Sequence, residues 1–312
     1  MDIQVFPPDE LPVALGALRA IDLPLTLAQK RFLDVIARLH RAPFSPRALP
    51  TLSPVDAAAA ITDPHRRKRL LQLAIIMTTI DGEVREAPTV NVARLAEALE
   101  VDERATHTLG ELAAHHHLMT RFDLMRRIMG RFLADAWHEE KWSGVKKFVG
   151  PLAAGVGADP AVAFRYKKLG LLPSGTFGRV FWEHCTSRQF AFPGEPGGIP
   201  ERAVFHDFGH VLAGYDTDPD GEIQQAAFQS GFVRNDGFSF LFFGIVQFHL
   251  GVKITPIAEA EVGYLDVDKV MTALARGAAC KIDLSDHWDF WSYLERPLDE
   301  VRAELGVTPL AA

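Results

Sequence analysis

The spacing of apolar residues along the chain predicts helices throughout and almost no strands. Between residues 27 and 41, apolar side chains recur at intervals of three and four, which places them on one face of a helix. Runs that alternate apolar and polar residues, which are typical of half-buried strands, are scarce. The pattern therefore predicts an all-α protein, with a small N-terminal helical bundle followed by a larger helical domain.

Proline and glycine residues indicate where helices begin and end. Asp63-Pro64 is typical of a helix start, because Asp can cap the helix and Pro suits its first turn. The same helix is expected to end at Asp81-Gly82, since glycine readily adopts the left-handed conformation that closes a helix. Later helices are expected through residues 90–99, 109–118, 122–137, 180–184 and 297–306.

Four prolines, at positions 43, 46, 50 and 54, predict a linker that is not helical. We therefore predict three segments. They are an N-terminal helical extension with the proline-rich linker at 1–56, a helical bundle at 57–138, and a larger helical domain at 139–312.

Composition narrows the class of protein. The 312 residues are 48% hydrophobic and 23% charged, which is typical of a globular protein. A net charge of −7 argues against nucleic acid as a partner, because binding phosphates needs Lys and Arg. Cys185 and Cys280 lie far apart and show no zinc-ligand spacing, which fits a reducing compartment.

The chain shows no targeting or membrane-spanning pattern. Its N-terminus lacks the positive and apolar regions of a signal peptide. The longest apolar run, Phe238–Val252, is interrupted by Gln247 and His249 and is too short to span a bilayer. We expect a cytoplasmic protein, with contact at the inner face of the membrane left open.

Metal-ligating residue types cluster near position 206. His206 and His210 are four residues apart, so they lie one above the other on a helix and can converge on one ion. Asp207 can reach the same ion from the side or orient a histidine. Glu222 follows a turn rich in Asp, Gly and Pro, which predicts antiparallel helices that return it to the histidines. The pattern predicts that the larger domain binds a divalent metal through His206, Asp207, His210 and Glu222.

Ordinary helix chemistry offers an alternative for the same residues. Glu222 suits the first turn of a helix, where a carboxylate meets the positive end of the helix dipole. Asp218-Pro219 can start that helix without an ion, and His206 and His210 can be neutral and hydrogen-bonded. Spacing alone favours the metal site without deciding the matter.

Three ordered motifs are similar to those of the coenzyme Q biosynthesis protein four family. The histidines, Asp207 and Glu222 reproduce that family's His-Asp-x-x-His-x11-Glu pattern. Residues 172–178 resemble its Leu-Pro-x-Gly-Thr-Leu-Gly segment, and residues 302–307 resemble its Arg-x-x-Leu-Gly-Ile ending. The resemblance spans about residues 145–308.

Two departures from the family pattern lie near the motif. Ala203-Val204-Phe205 stands in place of an Arg-Tyr-Arg-like stretch, and Phe228-Gln229 stands in place of Phe-Glu. Both changes remove charge beside the expected pocket. They bear on the substrate more than on the metal.

The resemblance implies a metal-binding, membrane-peripheral protein of ubiquinone biosynthesis. It implies a polyprenylated aromatic quinone precursor as substrate, and oxidative decarboxylation and hydroxylation at ring carbon C1 as the activity. Zinc is the expected ion, although mixed His and carboxylate ligation also admits iron or manganese. Asp207 and Glu222 are the candidate catalytic residues. Other quinone-biosynthesis proteins are candidate partners, and we also expect a homo-oligomer.

The apolar helix after the motif is a candidate wall for the isoprenoid tail. Phe240, Phe243 and Phe248 are the candidate tail-binding residues. The alternative is that this helix is ordinary core. Both can hold, because ligand cavities are lined mostly by apolar side chains.

The N-terminal half resembles a second family over roughly residues 57–135. Residues 80–84, Ile-Asp-Gly-Glu-Val, and residues 95–99, Leu-Ala-Glu-Ala-Leu, are similar to the tellurite-resistance protein B-like domain. That resemblance implies a small helical bundle with Asp81, Glu83 and Glu86 as candidate metal ligands. We favour the alternative that Asp81-Gly82 ends a helix and that the glutamates are solvated.

Two other classes of function stay open. One is a non-catalytic prenyl-lipid-binding scaffold for quinone-biosynthesis enzymes. The other is a metal-dependent hydrolase of the His-Asp type, which would need His184 and Asp236 as further ligands. His115-His116-His117 is expected in mid-helix, where consecutive side chains diverge and cannot chelate one ion together.

Overall fold

A computed structural model describes residues 1–127, 159–255 and 258–310, which form helices and no strand. The predicted all-α class is therefore confirmed. In chain order the helices are α1 (Leu11–Arg19), α2 (Leu27–Leu39), α3 (Pro54–Ala60), α4 (Pro64–Thr79), α5 (Glu86–Leu99), α6 (Arg104–Ala113), α7 (117 to the end of the first described range at 127), α8 (Pro160–Lys167), α9 (Phe177–Ser187), α10 (Phe205–Ala213), α11 (Pro219–Phe232), α12 (Phe238–Phe248), α13 (Val267–Ala278) and α14 (Leu298–Leu305).

Most predicted helix ends are confirmed, because their chemistry is local. The Asp63 carboxylate accepts a hydrogen bond of 2.9 Å from the Arg66 backbone N–H, with Pro64 in the first turn of α4. α4 then ends just before Gly82, whose φ is 81°. α14 likewise ends at Gly306, whose φ is 77°.

Two local predictions are wrong. The proline-rich linker contains a short 3-10 helix, Pro46–Ala48, and its last proline begins α3, since proline suits a first turn. The predicted helix through 109–118 stops at Ala113. His115 adopts a left-handed φ of 58°, and His116 N–H donates to the Glu111 carbonyl, which closes α6 without a glycine. His115 and His116 therefore lie between α6 and α7, and His117 is the first residue of α7, so the three are not in mid-helix.

The chain divides into two compact units. The first comprises Met1–Met125, Asp218–Gly231 and Asp236–Ala278, and the second comprises Arg126–Thr217, Phe232–Asn235 and Ala279–Ala312. The predicted boundary after 138, and the predicted helix beyond 127, lie outside the described residues. The three-segment division of the sequence stays a prediction.

In the first unit, α4 and α12 are largely core. Residues 70–79 of α4 are all buried, and α1, α5 and α12 contact this helix. Gly244 of α12 lies against α11, because a Cβ at that position would be 2.7 Å from the Ala226 Cβ. Arg31 and Arg38 of α2 both contact Asp268 of α13 through guanidinium–carboxylate pairs of 2.5 and 2.8 Å.

In the second unit, aromatic rings surround Phe208 of α10. Its ring centroid lies 4.5 Å from that of Phe181, and 5.0 Å from those of Phe177 and Phe290. These rings bury one face of α10 against α9 and the segment before α14. His206 and His210, each two positions from Phe208, therefore lie on another face of this short helix.

The two sequence segments that flank the histidine motif pair with each other. Phe177 N–H donates to the Arg296 carbonyl at 2.8 Å, and Leu298 N–H donates to the Gly175 carbonyl at 3.0 Å. Arg302 of α14 then donates to the carbonyls of Val211 and Leu212 at 3.0 and 2.9 Å. The second unit thus joins both segments to the C-terminal end of α10.

Candidate metal centre

α10 presents its two histidines in different environments. His210 is 2% exposed, whereas His206, one turn earlier, is half-buried. The helix ends directly after this turn, where Gly214 has a φ of 81° and its N–H donates to the His210 carbonyl at 2.8 Å. The sequence prediction that the two histidines share one helix face is confirmed.

The two imidazoles meet through their Nε2 atoms. These atoms lie 3.3 Å apart, with ring centroids separated by 4.9 Å and ring planes inclined at 79°. A tetrahedral zinc ion bound about 2.0–2.1 Å from each of two nitrogens holds those nitrogens about 3.3–3.4 Å apart. The histidine pair therefore has the separation that two ligands of one tetrahedral ion require.

A backbone carbonyl fixes the tautomer of His210. Its Nδ1 lies 3.2 Å from the Tyr215 carbonyl oxygen. Since a carbonyl can only accept, Nδ1 carries the proton, and in the neutral ring Nε2 then keeps its lone pair. A backbone carbonyl on the far nitrogen is also the usual way in which metal-binding histidines are oriented.

Glu222 is the third metal ligand that the sequence motif predicts. It lies in the first turn of α11, where its N–H donates to the Asp218 carbonyl at 2.8 Å. By the division given above it belongs to the first unit, and its place in the metal site stays a prediction. Two imidazoles and a carboxylate are a donor set that zinc accepts, and they leave a tetrahedral position for another ligand.

Asp207 lies outside that group of three. It is half-buried, and its charge contributes, after burial, to raising the pKa of Cys185 on α9. Asp207 is therefore on the part of α10 that is near α9. Its assignment as a metal ligand stays a prediction, and the alternative that it orients a histidine stays open with it.

His184 of α9 was considered from the sequence only for the hydrolase alternative, yet it lies beside the pair. Its ring stacks on that of His210, with centroids 5.8 Å apart and planes inclined at 29°. Burial, followed by the neighbouring His210, lowers the pKa of His184 to about 3. Its Nε2 is buried and has no hydrogen-bond partner among the described residues. Only the contact between α9 and α10 reveals this neighbour, because no sequence spacing points to it.

A pocket of about 420 Å³ opens beside His210. Residues of α9, α10, α14 and the segments directly after α9 and α10 line it, and these include His184, Arg188, Asp216 and Arg302. Arg188 and Asp216 form a pair of 2.6 Å at its edge, with side chains 29% and 68% exposed. A small molecule therefore has room next to the buried imidazole.

The candidate tail-binding phenylalanines lie on α12 in the first unit. Phe240 and Phe248 are buried, and Phe243 is half-buried. This is what ordinary core predicts, and a wall of a lipid cavity would also be apolar. Their role in binding a tail stays a prediction.

The acidic residues after α4 have other partners. The Asp81 carboxylate accepts a hydrogen bond of 2.8 Å from the Thr26 hydroxyl, and Glu83 lies 3.6 Å from Arg85. Within the described residues, the group of ligand types that could hold an ion does not include them. The φ of 81° at Gly82 agrees with the expectation that Asp81-Gly82 ends a helix, and metal binding by these residues stays a prediction.

Comparison with protein-family models and with curated proteins found no match for this chain. The two family resemblances of the sequence therefore stay predictions. Across the described ranges, no helix has both the length and the apolar character to cross a bilayer.

Proposed function

We propose that this protein binds one divalent metal ion through His206, His210 and Glu222, and acts on a polyprenylated aromatic precursor of ubiquinone. The single observation that carries the metal proposal is the 3.3 Å separation of the two Nε2 atoms, with the far nitrogen of His210 held by the Tyr215 carbonyl. The substrate class rests on the sequence resemblance alone. We propose zinc, with iron or manganese as alternatives that the same donors accept.

A divalent ion at this position would supply Lewis-acid chemistry toward a carboxylate or phenolate. The residues of the chain then have separate roles. The Tyr215 carbonyl favours the His210 tautomer with its lone pair on Nε2, and Glu222 would supply the negative charge of the donor set. Asp207 is proposed to hold or move a proton near the histidine pair.

The proposed reaction replaces a ring carboxylate by a hydroxyl. The ring–carboxylate bond breaks to release carbon dioxide, and a ring–oxygen bond forms. With water as the oxygen source, the ring loses two electrons, and an oxidant such as dioxygen takes them up and becomes hydrogen peroxide. Zinc has no redox chemistry of its own. With zinc, the electrons would therefore come from the electron-rich ring itself, and the residues here would bind and orient it.

The metal proposal is tested by measuring the ions in protein purified without chelators. The comparison uses wild type, His210→Ala, Glu222→Ala and, as a matched control, His107→Ala, which removes an exposed histidine of α6. We expect about one ion per chain in wild type and control, and its loss in the two site variants. A wild-type protein without a stoichiometric ion, after growth with zinc, iron and manganese, would refute the proposal.

The ubiquinone proposal is tested by measuring ubiquinone in cells from which this chain has been deleted and to which wild type or a variant is then restored. His210→Ala is expected to abolish ubiquinone production at unchanged protein level, whereas His107→Ala is expected to leave it intact. Normal ubiquinone with His210→Ala would instead favour the non-catalytic scaffold. Absence of any dependence on the chain would remove the ubiquinone role altogether.

One observation favours a second candidate, a metal-dependent hydrolase. His184 places a third imidazole against His210, with ring centroids 5.8 Å apart. A hydrolase of this kind would release inorganic phosphate from nucleotides or other phosphate esters in a metal-dependent way. Phosphate release that His184→Asn and His210→Ala both abolish would support it over the quinone role.

A further inference from the structure

We infer that Arg188 is a positioning residue for the metal-binding nitrogen of His210, acting through the loop of residues 214–217. This role rests on the proposed metal function. Arg188 and the loop would hold His210 in the orientation that binds the ion. All of the contacts that carry it lie within the second unit.

This loop accepts a hydrogen bond from the His210 ring. The Tyr215 carbonyl accepts from His210 Nδ1 at 3.2 Å, which in the neutral ring puts the lone pair on Nε2. A histidine in water prefers the opposite tautomer, with its proton on Nε2. The position of the Tyr215 carbonyl therefore decides whether Nε2 is ready to bind an ion.

Arg188 contacts the same loop through two hydrogen bonds. Arg188 follows α9 directly, and its Nε donates to the Thr217 hydroxyl at 3.0 Å. Its Nη2 donates to Asp216 Oδ1 at 2.6 Å. One guanidinium thus holds the two residues that come directly after Tyr215, and it links them to α9.

Arg302 holds the chain on the N-terminal side of Tyr215. Arg302 donates to the Val211 and Leu212 carbonyls, which fixes the last turn of α10 before the loop begins. Tyr215 therefore lies between a helix end held by Arg302 and a loop segment held by Arg188. Arg302 orders the helix, and Arg188 orders the segment that carries the carbonyl.

The guanidinium of Arg188 suits this contact because it can donate to two acceptors at once. Its planar fork donates from two nitrogens to two acceptors at fixed angles, which a lysine ammonium does not reproduce. Arg188 and Asp216 are both partly exposed, so their ion pair contributes little to global stability. Loss of Arg188 should therefore leave the protein folded and release the loop locally.

The experiment is side-chain ¹⁵N NMR of metal-free protein with labelled histidine, at about pH 8, where an ordinary histidine is neutral. The His210 signals are assigned from the spectrum of His210→Asn. In wild type we expect a protonated Nδ1 and an unprotonated Nε2. In Arg188→Ala and Arg188→Lys we expect a substantial population with the proton on Nε2.

Arg179→Ala is the matched control. Arg179 lies on α9, the helix that Arg188 directly follows. Its side chain is 30% exposed against 29% for Arg188, and it pairs with Glu183 at 2.7 Å. It donates to the Gly170 carbonyl and to no residue of the loop in the described contacts. We expect its His210 spectrum to match that of wild type.

A second measurement is zinc affinity by competition with a chelating dye. Changes to groups that orient a metal ligand typically weaken binding about 10- to 100-fold, and we expect this for both Arg188 variants but not for Arg179→Ala. If Arg188→Ala does not fold, Arg188→Lys and Thr217→Val serve in its place.

The outcomes separate this inference from the metal proposal. An unchanged His210 tautomer in folded Arg188 variants overturns the inference, whatever the metal result. A shifted tautomer in a protein whose wild type binds no metal would refute the proposed function, while the positioning role of Arg188 would stand.

Discussion

Two buried histidines, one in each unit, use their ring nitrogens differently. His249 at the end of α12 is 4% exposed, and His210 on α10 is 2% exposed. In His249, Nε2 donates to the Ile80 carbonyl at 2.9 Å, and Nδ1 accepts from Leu265 N–H at 3.1 Å. In His210, one nitrogen also donates to a backbone carbonyl, but the other faces the Nε2 of His206.

The second nitrogen is what separates a structural histidine from a candidate ligand. The backbone satisfies both nitrogens of His249, so the ring ties α12 to the end of α4 and to the loop before α13. The Nε2 of His210 accepts from the Nε2 of His206 only if that second ring carries its proton there. A metal ion would take the place of that proton and bind both rings.

The largest expected contrast comes from removing each histidine in turn. His249→Ala leaves the buried Ile80 carbonyl and the part-buried Leu265 N–H without their partner. A buried group in this state costs about 1–3 kcal/mol, and a part-buried one costs less. We therefore expect the free energy of unfolding, from urea denaturation, to fall by about 2–5 kcal/mol, with the metal content unchanged. His210→Ala is expected to lose the ion. Loss of the ion in folded His249→Ala would show that the comparison is wrong.

A smaller effect is expected in the dependence of stability on pH. Burial lowers the pKa of His249 below its ordinary value of 6.5. Between the lowered pKa and 6.5, the unfolded chain binds a proton that the folded chain does not, so stability falls as the pH falls through this window and is fully present above it. The slope is up to about 1.4 kcal/mol per pH unit for this one group.

His249→Gln tests that slope. Glutamine keeps a donor and an acceptor but does not titrate. We expect urea denaturation at a series of pH values below 6.5 to give a shallower decline for the variant, while His107→Ala keeps the wild-type slope. Equal slopes for His249→Gln and wild type would mean that His249 is not kept neutral by the fold.

The smallest effect is expected at the acidic residues after α4. The Asp81 carboxylate accepts from the exposed Thr26 hydroxyl, so Asp81→Asn should change the free energy of unfolding by about 1 kcal/mol or less. Its metal content should equal that of wild type. A loss of bound ion in this variant would place a metal site at the end of α4 and contradict the account, which puts the histidine ligands on α10.

Local chemistry made some features predictable from the sequence. Asp63-Pro64, Gly82 and Gly306 set helix ends through caps and left-handed glycines, so the predicted ends agree with the structure. The pairing of His206 with His210 was likewise a matter of helical spacing. The end of α6 at His115 was not predictable in this way, because a histidine in the left-handed conformation leaves no such signal.

Long-range contacts supplied the rest of the candidate site. His184 reaches His210 only because α9 packs on α10, and Arg302 reaches Leu212 from 90 positions later in the chain. The Tyr215 carbonyl that sets the His210 tautomer depends on the path of a loop. None of these relations has a fixed spacing in sequence, so pattern alone gave the ligand types but not the groups that orient them.

The most direct test of the central claim is X-ray absorption spectroscopy of the zinc-loaded protein, at one ion per chain. The spectrum is predicted to show two imidazole nitrogens at about 2.0–2.1 Å from the zinc ion, with oxygen as the remaining ligand type. His210→Ala and Glu222→Ala should each change that spectrum, and His249→Gln should not. A sulfur ligand at about 2.3 Å, or a spectrum that His210→Ala leaves unchanged, would contradict the account.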